Sequence, residues 1–199
     1  MSRPVWLAAL FVLALTALLG SHVEIADAEG FRAGLEHPFA VPAHVIALTA
    51  CGLLAGQRDP GRHDALAVVF IAALIGGLAA LALGVGETPA GDVLVAAAAI
   101  AGLLVAIGRP LSMLLEFFVV AAIGAAIALD SPPEVVSLRT ANVMLIGTGL
   151  GAAILAIVVA EIAAALRGDW QRIGLRVFGS WIAASALLVL AMRLAQATT

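Results

Sequence analysis

Long apolar blocks separated by short polar joints run along most of this 199-residue chain. Six of them, roughly 39–56, 65–85, 89–107, 110–129, 141–166 and 173–194, come near the ~20 residues that a membrane-spanning helix needs. The joints hold turn and breaker residues: Asp59-Pro60-Gly61, Gly86-Glu87-Thr88-Pro89, Gly108-Arg109-Pro110, Ser131-Pro132-Pro133 and Arg167-Gly168-Asp169. Solid Ala, Leu, Val and Ile runs do not suit a barrel strand, which alternates apolar and polar positions. Backbone in lipid must satisfy its own hydrogen bonds. The pattern therefore predicts an all-α fold, a polytopic transmembrane bundle of six core helices within residues 29–199. Before it, in residues 1–28, an apolar run from Pro4 to Gly20 follows Arg3. It reads either as a seventh helix, which we favour, or as a signal peptide cut near Ala26-Asp27-Ala28.

Composition agrees with the pattern: 63% of residues are hydrophobic and 12% charged, and the mean hydropathy is +1.15. An ordinary soluble domain is nearer half apolar. A net charge of −3 gives no footing for nucleic acid, and a single cysteine, Cys51, excludes an internal disulfide. Charge changes the picture in one respect, orientation. With a cytoplasmic amino terminus, Arg3, Arg58, Arg62, Arg109, Arg167, Arg172 and Arg176 fall inside, as the positive-inside rule requires. Arg32, Arg139 and Arg193 fall outside, with Glu24, Asp27, Glu29, Glu36, Glu87, Asp92, Asp130 and Glu134. That acidic outer face would gather cations.

Candidate chemistry is concentrated in the stretch Gly30–His44, which holds two of the four histidines. His37 and His44 are seven apart and share a helical face if Pro38 and Pro42 leave the phase intact. Imidazole suits nickel, cobalt, copper and zinc, and Glu36 would add an oxygen. The plainer reading is an interfacial His-Pro turn with one hydrogen-bonded histidine. Glu116 and Glu161 lie within apolar spans, where ionisable groups are costly and mark candidate pathways. Each also lies near an arginine, Arg109 or Arg167, so an interfacial ion pair explains them as well. Cys51, Met113 and Met144 read as packing residues, and His22 and His63 as surface residues of the joints. Gly147 and Gly151 form a small-xxx-small pair for close helix packing. Trp6, Trp170 and Trp181 read as interfacial anchors. No HExxH, Gly-x-Ser-x-Gly or Ser–His–Asp set is present, so no enzyme is expected.

The opening stretch, with the order of segments after it, resembles the HupE/UreJ family of small membrane proteins. That family's pattern is close to Gly-Phe-x-x-Gly-x-x-His-Pro-x-x-Gly-x-Asp-His, and Gly30, Phe31, Gly34, His37, Pro38 and His44 match it in register. Val41 replaces its second glycine and Ala43 its aspartate. A second family signature resembles Phe-His-Gly-x-Ala-His-Gly-x-Glu. Its counterpart here is Ala122–Asp130, in which both histidines have become isoleucines, Ile123 and Ile127. A further family histidine has no counterpart near Thr148.

The resemblance implies a bacterial inner-membrane permease, with nickel or cobalt as the transported ion and no other cofactor. Of the family's ligands only His37 and His44 carry over. A second reading keeps the fold without the metal: a structural or assembly subunit with membrane-protein partners, or a homo-oligomer. A third is a conduit for a small neutral solute.

Overall fold

The computed structural model describes residues 25–84, 89–132 and 137–197. The apolar run 4–20 and His22 lie outside them. Seven helices occupy these residues: α1 (Ile25–Ala40), α2 (Pro42–Gly56), α3 (Pro60–Ala82), α4 (Ala90–Ile107), α5 (Met113–Leu129), α6 (Leu138–Ala165) and α7 (Asp169–Ala197).

The joints act as their residues dictate. Asp59 caps α3 by accepting the Arg62 N–H (3.2 Å), with Pro60 in the first turn. Gly108 ends α4 at φ 68°, a left-handed conformation that glycine adopts without strain. Helix α5 starts three residues later than Pro110, and ahead of it the Leu111 carbonyl accepts from Arg62 Nη2 (3.0 Å).

Helices α3, α4, α6 and α7 are each long and apolar enough to cross a membrane. With 17 residues, α5 is about 26 Å long, just under the ~30 Å hydrocarbon core. The first predicted span differs most from expectation. Residues 25–40, mostly ahead of the span expected at 39–56, are helical themselves, and the axis turns by 73° between Ala28–Ala40 and Pro42–Gly56. The cause is local. Val41 precedes a proline, which disfavours helical backbone, and it is extended at φ −94°, ψ 111°.

Helix α2 is the buried axis of the bundle, with residues 50 to 56 all inaccessible. It packs on α6 and α4, α1 lies on α6, α3 pairs with α5, and α7 closes the bundle against α4. Lipid provides no hydrophobic drive between helices, so small residues and close fit hold them. The small-xxx-small pair does this: a Cβ on Gly147 would overlap the Phe31 carbonyl, and one on Gly151 that of Leu35. Gly34 answers from α1, where a Cβ would overlap the Met144 carbonyl. Helix α7 shows its outer face instead, including Trp170 at its start and Trp181 eleven residues on. Trp181 is therefore a mid-helix residue rather than an end anchor.

Candidate functional site

The break at Val41 brings two histidines together from different helices. His37 stands in the last turn of α1 and His44 in the first of α2. Their rings meet edge to face, centroids 5.2 Å apart at 72°. The shared-face expectation for one straight helix is thus replaced by a corner, and proximity comes from the bend.

His44 is completely buried, and its Nε2 lies 3.1 Å from Asp130 Oδ2. Asp130 caps the carboxyl end of α5 and is held there by its own N–H to the Ala126 carbonyl (2.8 Å). A carboxylate accepts only, so it fixes the Nε2–H tautomer and leaves the Nδ1 lone pair for a ligand. His44 Nδ1 has no hydrogen-bond partner, and neither has the buried His37 Nε2. Carboxylate, imidazole and a free ring nitrogen form the arrangement by which an outer carboxylate orients a metal-binding histidine. The two ring nitrogens, His37 Nε2 and His44 Nδ1, could offer an ion at most a weak, open site. Among the described residues no group of three or more His, Cys, Asp or Glu is placed to hold an ion.

Glu36 stands apart from this corner. It is exposed and paired with Arg32 (2.8 Å), so the carboxylate beside the histidines is Asp130 instead. Asp92 and Arg193 pair nearby (3.1 Å); Arg193 Nη1 and Asp130 Oδ1 both lie against Gly91.

The opposite end of α2 holds the other charged residues. Glu116 is fully buried with Oε1 2.9 Å from Arg58 and Oε2 2.8 Å from Arg62. Arg109, the neighbour expected from sequence, is not its partner. With both oxygens engaged, this carboxylate ties α5 to the α2–α3 corner rather than offering itself to a passing cation. Glu161 does face open space. It lies 3.5 Å from His63 Nε2, and both line a cavity of about 610 Å³ at this end. His63 is buried at the start of α3, not a surface residue of the joint. Cys51, two turns beyond His44 on α2, shares a small apolar void of about 20 Å³ with His63. That is room for one water.

Sequence reasoning missed Asp130 as a partner of His44 and His63 as a partner of Glu161. Asp130 had one signal, its place as the acidic end of the second signature. His63 had none, since only folding brings α3 and α6 together.

A family model described as HupE / UreJ protein matches residues 8–189. No curated protein and no solved structure matches the chain.

Proposed function

The chain belongs to the HupE / UreJ family, and from that premise we propose that this integral membrane protein conducts a divalent transition-metal ion, nickel or cobalt. The observation that carries the proposal is the pair of unpartnered, buried ring nitrogens, His37 Nε2 and His44 Nδ1, beside Asp130. Unpaired buried polar atoms are costly, and a ligand that uses them explains why the corner retains them. The ion enters from the acidic outer face, dwells at His37 and His44, and passes along α2 by Cys51 to His63 and Glu161. There it reaches the inner cavity. Transit needs weak, replaceable ligands, because closed coordination would trap the ion, and imidazole pairs suit that demand.

The deciding experiment is radiolabelled nickel and cobalt flux into proteoliposomes, with calorimetric binding to the purified protein. A His37→Ala/His44→Ala variant is expected to lose both. Flux that survives in that variant overturns the entry site, and no flux by the unmodified protein overturns transport. A second reading is favoured by the lack of a three-ligand group among the described residues: an assembly subunit that kept the fold without the metal. A stable co-purifying partner with no metal binding would support it.

A further inference from the structure

The inner cavity carries more charge than a cation route needs. Arg58, Arg167, Arg172 and Arg176 line it, with Asp59, Asp64 and Glu161. Arg58 pairs with Glu116, Asp59 caps α3, Glu161 lies 3.5 Å from His63 and Asp64 is itself engaged. The α6–α7 wall is cationic: Arg167, Arg172 and Arg176 are all exposed there. Arg176 Nε donates to the Ala106 carbonyl (2.9 Å) and Arg167 Nε to that of Ala164 (3.4 Å). Carbonyls orient these guanidinium groups without neutralising them. Arg172 and Arg176 are four apart on one helix, a like-charge spacing that is unfavourable unless an anion bridges it.

What adjoins this wall identifies the anion. Helix α7 is apolar enough to span the membrane. Beside the arginines it exposes Trp170, Ile173 and Val177, with Trp170 at 77%. Tryptophan favours the headgroup level, and basic pockets between helices on the cytoplasmic side take lipid phosphates. A free phosphate would have no use for the apolar continuation.

We propose that Arg167, Arg172 and Arg176 bind the phosphodiester of an anionic phospholipid of the inner leaflet, its acyl chains lying along the exposed face of α7. The guanidinium forks suit phosphate oxygens. The arginines share this cavity with His63 and Glu161, but the lipid site does not require that an ion pass there.

Native mass spectrometry of the detergent-purified full chain tests it, with phosphatidylglycerol, phosphatidylcholine, glycerol phosphate and inorganic phosphate as probes. Phosphatidylglycerol is expected to be retained over phosphatidylcholine. Affinity is expected to fall about fivefold for Arg172→Gln and roughly a hundredfold for the triple Arg167→Gln/Arg172→Gln/Arg176→Gln variant. Arg172→Gln changes one exposed side chain and keeps the test valid if the triple variant misfolds. Arg109→Gln, exposed at the same end but outside the cavity, is expected to bind like the unmodified protein. Undiminished lipid binding by Arg172→Gln overturns the proposal, as does an equal loss in Arg109→Gln. Inorganic phosphate or glycerol phosphate binding as tightly as the lipid also overturns it, leaving a free-anion site.

Discussion

Asp130→Asn tests the outer corner most directly, because it removes a charge while keeping size and shape. A metal ion on His44 Nδ1 sits across the ring from the carboxylate, which meets Nε2 at 3.1 Å. With a metal–nitrogen bond near 2 Å, the ion and carboxylate are separated by about 7 Å. A charge of two against one at that distance is worth about 1 kcal/mol in water and about 5 at an effective dielectric of 20. The Asp130 side chain is 33% exposed, so screening pulls the figure toward the lower end, about 1–3 kcal/mol. That is roughly a tenfold to hundredfold loss of affinity, the usual effect of losing an outer-shell carboxylate. Calorimetric titration with cobalt measures it, beside His44→Ala and the double variant. The figure refers to an ion on His44 Nδ1, so the effect of Asp130→Asn is expected to shrink once His44 is gone. Affinity should also fall on acidification, since imidazole must shed its proton to ligate. A change under twofold in Asp130→Asn, or the same loss in the His44→Ala background, would refute the reasoning.

Three further outcomes are expected. Glu116→Gln leaves two buried or half-buried guanidinium groups without their charge partner and is expected to cost about 3–5 kcal/mol, read as a lower thermal midpoint in detergent. An unchanged midpoint would count against the Arg58–Glu116–Arg62 tie. Gly34→Ala drives a Cβ into the Met144 carbonyl, an overpacking worth about 1–3 kcal/mol. Pushing α1 off α6 should also weaken cobalt binding by displacing His37; normal melting and binding would show that α1 tolerates the shift. Ile127→His places an imidazole where the resemblance expects one and is expected to tighten cobalt binding. It should also enlarge the cobalt-induced rise in melting temperature, because a ligand of the folded state stabilises in proportion to its affinity.

The helices were legible because their cause is local: apolar length and breaker residues give both the spans and their ends. The bend was half legible. Pro38 and Pro42 announced disturbed backbone, but not that Ile25–Ala40 would be a helix with its own packing surface. Gly34 illustrates the difficulty: it reads as a motif residue in sequence, and the structure gives it a steric task against α6. Pairings between distant segments were illegible. His44 with Asp130 spans 86 residues, and Glu116 with Arg58 and Arg62 joins α5 to a corner that sequence proximity to Arg109 disguised. Periodicity reports which face is apolar; it does not say which charge on one helix meets which on another.

Helix α5 carries the positions where the resemblance expects further histidines. Ile123, Ile127 and Asp130 follow one another at helical spacing, so they share a face, and both isoleucines are completely buried. This is the face from which Asp130 reaches His44. The two positions where the resemblance expects histidines therefore lie on the face that carries Asp130, within a core filled by hydrocarbon. Isoleucine there spares the bundle the cost of unpaired imidazoles in a dry interior, and its branched side chains pack the core well. Coordination pays for this in selectivity: two ring nitrogens discriminate little among Ni, Co, Cu and Zn, whose order of affinity is set largely by the metal. A site of this kind exchanges its ion quickly. On the proposed reading it would act as an entry filter by charge and borderline softness, and any sharper choice of metal would fall further along the chain or to what delivers the ion to it.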